Sequence, residues 1–137
     1  SRFWWVLTYY GHRKVQILNG GWRKWFQEGR PITEASPAIG VAKRFKPATD
    51  SSLIVSAETL KDNYDRVGVV VWDVRSKGEY AGELSRGNRR AGHIPGAINL
   101  EWLDLINPKD HTLKPLGEIQ RLLERNGITP EKQIFIH

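Results

Sequence analysis

An α/β fold built on a parallel sheet is what this sequence predicts, on three observations. Val69, Val70, Val71 and Trp72 form a continuous apolar run rich in β-branched residues, the pattern of a strand covered on both faces. A second such run, residues 133–137, closes the chain. Between them stand segments with helix-start signals and helical spacing, the alternation expected of strands joined by crossover helices. In open sheets of this kind ligands bind outside the carboxyl ends of the strands. The charged residues just after the first run, Asp73 and Arg75, therefore mark where a site is expected.

Residues 3–10 are aromatic and apolar nearly all round, as in a helix buried in a large body, and Gly11 stands where a left-handed C-terminal cap belongs. Residues 14–18 alternate into Asn19-Gly20-Gly21, a short strand closing in a glycine turn. A helix over residues 22–28 then sets Trp22, Trp25 and Phe26 on one face as core packing, and Gly29 and Pro31 stop it. Residues 32–52 follow Pro31 and carry Pro37, Gly40, Pro47 and several small polar residues with no sustained period, so they read as a connector. Residues 53–55 make a brief strand, and Ser56 caps a helix with Leu60 and Tyr64 on one face.

After Asp73, the stretch Ser76-Lys77-Gly78-Glu79 is a capping box that starts a helix at Lys77; Glu79 reads as its cap and as a partner for Arg75. Arg86, Arg89 and Arg90 crowd a loop whose Gly82, Gly87, Asn88 and Gly92 permit tight backbone. Three guanidiniums there suit an anion, or else form a solvated basic loop. His93 reads as a structural hydrogen-bonder, and Pro95-Gly96 as the centre of a type II turn feeding a strand at residues 97–100. Residues 102–113 are loop-rich, with turns at Asn107-Pro108 and Lys109-Asp110. Pro115 suits the first turn of a helix in which Leu116, Ile119, Leu122 and Leu123 form one stripe, ended by Gly127.

Composition narrows the function classes. The 137 residues, 39% of them hydrophobic, suffice for one domain with a core. No apolar run approaches the roughly 20 residues of a membrane span, and residues 1–10 lack a signal-peptide pattern, so a cytoplasmic setting is expected with no membrane partner. The formal charge is +6, but the basic residues are scattered among acids, which argues against nucleic acid and fits a small anionic substrate. Cysteine is absent, excluding disulfides and thiolate chemistry within these residues. His12, His93, His111 and His137 show no ligand spacing, so neither a metal nor another cofactor is expected.

The combination of VVVWDVRSKGEY, the arginine-bearing loop and AGHIPGAINLEW resembles the rhodanese domain, the sulfurtransferase module. Leu18-Asn19-Gly20-Gly21-Trp22-Arg23-Lys24-Trp25 resembles the end of another such domain, so the whole chain is similar to the middle of a tandem-domain thiosulfate or 3-mercaptopyruvate sulfurtransferase. The resemblance implies a rhodanese-like parallel sheet flanked by helices, present as the end of one domain (residues 1–31), a linker (32–52) and the first part of a second domain (53–137). The strands at 14–18 and 69–72 would then lie in different sheets.

In that family a strand like 133–137 runs into a loop that begins with the catalytic cysteine, which the resemblance places immediately after His137. The family chemistry moves sulfane sulfur from a small anionic donor to the cysteine and on to a thiol or cyanide. The resemblance makes Asp73 an orienting group beside that loop, and Arg75 a brace to the fold through Glu79 or a group facing the donor. Animal-type members carry an arginine where this chain has Glu79, so Arg86, Arg89 or Arg90 would supply the donor-binding charge, with Arg90 the first choice. His137 lies beside the nucleophile by sequence. Asp73 and at least one of the three loop arginines are expected near the carboxyl end of the strand that ends at His137. The alternatives are a non-catalytic rhodanese-like binding or regulatory module, told apart by the residue after His137, and the related phosphatase type, told apart by loop length.

Overall fold

A computed structural model of the chain describes residues 2–38, 40–41 and 44–137; positions 39, 42 and 43 of the expected connector lie outside the described residues. The chain divides into two compact units. One takes in the residues up to Ile54 together with Asp110–Thr112, and the other Val55–Lys109 and Leu113–His137.

In the first unit, helix α1 (Arg2–Tyr9) ends as its glycine requires: Gly11 has φ +86°, and the Gly11 and His12 amides donate to the Thr8 and Leu7 carbonyls. Helix α2 (Gly21–Gln27) comes next. Three expectations fail in this unit. Residues 14–18 form no strand, because a ladder needs a neighbour and the described residues of this unit contain no other strand. Helix α1 buries none of its residues, Phe3 being 81% exposed, since no second layer covers it among the described residues. Trp22 and Phe26 stack loosely on each other in the open instead of forming core, while the half-buried Trp25 donates its indole N–H to the Pro31 carbonyl. The brief strand expected at residues 53–55 is also absent. Ser51–Leu53 is a 3-10 turn because the Asp50 carboxylate accepts from the Ser52 amide and hydroxyl, and this local capping outcompetes extended pairing.

The second unit holds the sheet. Helix α3 (Ala57–Lys61) is capped as expected, the Ser56 hydroxyl accepting from the Thr59 amide. Then come strand β1 (Val69–Asp73), helix α4 (Lys77–Ala81), strand β2 (Ile98–Asn99), a 3-10 turn (Trp102–Leu105), helix α5 (Leu116–Arg125) and strand β3 (Gln133–Ile136). The order across the sheet is β2-β1-β3 and both pairings are parallel, giving a mixed α/β architecture with helices between the strands. Strand β1 is central, which its unbroken apolar run foretold. Strand β3 lies at an edge and is only half-buried, with Ile136 59% exposed, so it is not the fully covered strand its sequence suggested.

Because side chains alternate along a strand, β1 feeds both faces. Val70 joins Leu100 and Ile128 in a buried cluster that Trp72, Ile98, Leu105, Leu123 and Ile134 pack against. Val71 and Asp73 point to the other face, and both are essentially inaccessible. From α5, Ile119, Leu122 and Leu123 are half-buried whereas Leu116, at its first turn, is 81% exposed, so the stripe packs only from its second turn. Pro115 occupies the cap position, one residue before the first turn. Gly127, at φ +69°, ends the helix as expected.

Candidate functional site

The carboxyl end of β1 delivers Asp73 into the interior with no solvent exposure. An isolated buried carboxylate is costly, so its partners decide whether it stays ionised. Arg75, two residues on, supplies them. Its amide donates to Asp73 Oδ1 at 3.0 Å, and its guanidinium reaches both carboxylate oxygens, Nε at 3.0 and 3.2 Å and Nη2 at 2.5 Å. Burial raises the Asp73 pKa, but the hydrogen bonds from Arg75 and the charge of His137 outweigh it, and the net shift is downward. The Arg75 pKa is raised, first by its hydrogen bond to Asp73.

Parallel pairing continues past Ile136: the His137 amide donates to the Trp72 carbonyl and the Val74 amide to the His137 carbonyl. That register brings His137 Nε2 to 3.3 Å from Asp73 Oδ2. Strand β2 contributes Asn99, whose amide donates to the carbonyls of both Asp73 and Arg75, at 3.1 and 2.9 Å, pinning the turn out of β1. Sequence reasoning passed over Asn99. The available signal was an asparagine inside a short strand, a residue depleted there unless its side chain has local work.

Arg75 also donates from Nη2 to the Gly92 carbonyl at 2.9 Å, so it braces the fold chiefly through Asp73 and Gly92; with Glu79, the partner the sequence suggested, it has a charge interaction but no hydrogen bond. Glu79 instead accepts from the Ser76 hydroxyl at 2.7 Å, which first among several causes lowers its pKa. The capping box is thus half-formed, the Ser76 hydroxyl turning to the carboxylate and making no bond to the helix amide. Arg86 Nε lies 3.9 Å from the same carboxylate. Arg86 itself adopts φ +49°, in a loop where Gly82, Gly87 and Gly92 are also left-handed while Asn88 is not. Arg89 and Arg90 are exposed and make no hydrogen bond or ion pair to the described residues.

The turn after this loop is the expected type II: the Ala97 amide donates to the Ile94 carbonyl at 2.9 Å and Gly96 has φ +76°. His93 is a hydrogen-bonder, Nδ1 to the Tyr80 carbonyl at 2.8 Å. The structure therefore brings Asp73, Arg75 and His137 into contact at the carboxyl ends of β1 and β3, and leaves Arg86, Arg89 and Arg90 on the loop between α4 and β2. Among the described residues no three His, Asp or Glu side chains converge as a metal site would require, and no helix is long and apolar enough to cross a membrane.

Comparison with known proteins agrees with this fold. Residues 56–137 match the model of a rhodanese-like domain. The sulfur carrier protein TtuD of Thermus thermophilus is 38% identical over 144 residues, covering 97% of this chain and 50% of that protein. The thiosulfate sulfurtransferase of Gallus gallus is 34% identical over 134 residues, covering 97% and 45%. The chain thus spans about half the length of these curated relatives. Among solved structures, a variant of EanB in complex with ergothioneine superposes with a TM-score of 0.86 at 28% identity, over 99% of this chain and 34% of that one. The anaerobic ergothioneine biosynthesis enzyme of Chlorobium limicola, in complex with trimethyl histidine, gives 0.82 at 29% identity, over 99% and 34%.

Proposed function

This chain belongs to the rhodanese-like domain family, and on that premise we propose that it frames the active site of a sulfurtransferase whose cysteine comes directly after His137. The 137 residues contain no cysteine, so in this reading the nucleophile is supplied beyond them. The thiolate attacks the outer sulfur of thiosulfate, the sulfur–sulfur bond breaks, and sulfite leaves with the bonding pair. Cyanide or a thiolate then takes the terminal sulfur of the resulting persulfide and the cysteine thiolate is restored.

The observation that carries this reading is the buried Asp73, locked by Arg75 and touching His137 where β1 and β3 end side by side. A strand needs no inaccessible carboxylate for stability, since burying an ion pair gains little over apolar packing. Placed at the carboxyl edge of a parallel sheet, it suits a group that orients the loop leaving β3. The exposed Arg86, Arg89 and Arg90 fit the donor's two negative charges, with Arg89 and Arg90 unengaged among the described residues and Arg86 already leaning on Glu79.

The test is steady-state thiosulfate-to-cyanide transfer by this chain and by the protein continued past His137 in its parent sequence. Imidazole and carboxylates do not hold sulfane sulfur as a stable intermediate, so the present chain is expected to be inert and the longer protein to turn over. Turnover by the present chain would overturn the reading. An inert longer protein that contains the cysteine would make the chain a rhodanese-like binding module instead.

A further inference from the structure

The arginine-bearing loop leaves the body of the unit through a narrow neck. Gly82 ends α4 at φ +83°, and a Cβ built there would stand 3.3 Å from the Gly92 amide nitrogen, so the two arms of the loop run too close for a side chain to fit freely between them. Arg75 holds one arm by its bond to the Gly92 carbonyl. The next residue, His93, lays its ring on Tyr80 with centroids 3.6 Å apart and planes 11° from parallel. Its Nδ1 meets the Tyr80 carbonyl at 2.8 Å.

A carbonyl only accepts, so this bond fixes the imidazole hydrogen on Nδ1. The carbonyl it satisfies belongs to the last turn of α4, where no further helical amide is left to pair with it. Tyr80 is itself anchored, its hydroxyl donating to the carbonyl of the buried Ala97 at 2.8 Å. The stack therefore joins both arms of the neck to the start of β2. Beyond the neck the Glu83 and Leu84 amides still donate to the Gly78 carbonyl and Arg86 leans on Glu79 at 3.9 Å, but residues 86–90 are all exposed.

We infer that His93, acting through Tyr80, is a positioning residue that clamps the neck and so presents the loop arginines as a fixed group to an anion. The identity of that anion as the sulfur donor rests on the function proposed above; the clamp itself does not. Without it the loop samples many arrangements, and the arginines must be ordered at the moment of binding.

The test compares His93→Ala, His93→Asn and His93→Phe in the protein continued past His137, by tryptic cleavage after Arg86, Arg89 and Arg90 and by steady-state kinetics with thiosulfate. Asparagine can place an N–H near the position of Nδ1, and phenylalanine keeps the ring but not the donor. His93→Ala is expected to speed cleavage at these three sites roughly tenfold and raise KM roughly five- to tenfold with kcat nearly unchanged, as loss of one ordering hydrogen bond and its stack would give. His93→Asn should restore most of the protection and most of the KM. If alanine disrupts folding, the contrast between asparagine and phenylalanine decides, protection being greater with asparagine. Wild-type cleavage rates in all three variants would overturn the clamp. If the wild-type longer protein does not use thiosulfate, the proposed function falls, and the cleavage comparison still tests the clamp.

Discussion

His137 Nε2 stands 3.3 Å from Oδ2 of Asp73, a carboxylate without solvent exposure that also carries the Arg75 guanidinium. Burial opposes ionisation of Asp73, yet Arg75 and His137 together hold its pKa below the ordinary carboxylate value. A carboxyl whose folded pKa lies under its unfolded one stabilises the fold above the unfolded pKa, and this contribution is lost as pH falls through the folded value. Asp73→Asn should therefore cost about 3 kcal/mol at pH 7, where it strips a mostly buried guanidinium of its counter-charge. The gap between wild type and variant should narrow at pH 3 and below. Urea unfolding at both pH values measures it; a gap of constant size would remove the charge from the explanation.

Two glycines separate backbone strain from steric conflict. Gly96 has φ +76° with open space where a Cβ would go, so Gly96→Ala should cost only the left-handed backbone penalty, about 1 to 2 kcal/mol. Gly82 has φ +83° and the Gly92 backbone 3.3 Å from its virtual Cβ, so Gly82→Ala adds a displacement of the loop neck to the same penalty. Equilibrium unfolding of the two variants should rank Gly82→Ala as the more damaging, and the reverse order would contradict the close approach at the neck.

Asp110 offers a titration test in the first unit. The Thr112 hydroxyl, followed by Lys24, holds its pKa down to about 2. Its ionised form therefore contributes above the ordinary carboxylate pKa, and the contribution disappears as pH falls towards 2. Thr112→Val and Lys24→Met should each move the Asp110 carboxyl resonance to a higher titration midpoint. NMR titration of the side-chain carbons reads both, and an unmoved midpoint in either variant would remove that partner from the explanation.

Local chemistry was legible in the sequence and pairing was not. Pro95-Gly96 specified its turn, Ser56 its cap and the Val69-Val70-Val71-Trp72 run its central strand, because each depends on residues within a few positions. Residues 14–18 have the alternation of a strand but find no ladder partner, and that partner lies outside anything the segment itself encodes. Site residues divide the same way. Asp73 was legible from its place after a buried strand, whereas the choice of Arg75 for Asp73 over Glu79 turned on the tight exit from β1, which Asn99 fixes from another strand. The Asp50-Ser51-Ser52 turn, by contrast, carried a readable capping signal that the short apolar run beside it obscured.

Arg75 and Arg90 should separate fold from donor binding. Arg75 is committed to Asp73 and the Gly92 carbonyl, with only 24% of its side chain exposed, so Arg75→Ala leaves a buried carboxylate unpaired and should lower stability before it touches donor affinity. Arg90 is exposed and engages none of the described residues, so Arg90→Ala should leave the unfolding midpoint within about 0.5 kcal/mol of wild type. In the protein continued past His137, the same change should weaken kcat/KM for thiosulfate by about 1 to 3 kcal/mol through loss of a charge-assisted contact, with most of the effect in KM. Raising the salt concentration should shrink the difference, because the lost interaction is between exposed charges. Steady-state kinetics at two ionic strengths, run beside thermal unfolding of both variants, reads all of these at once. A stable Arg75→Ala protein with a raised KM, beside an Arg90→Ala protein with wild-type kinetics, would transfer the donor contact to Arg75 and leave the loop arginines as solvated surface.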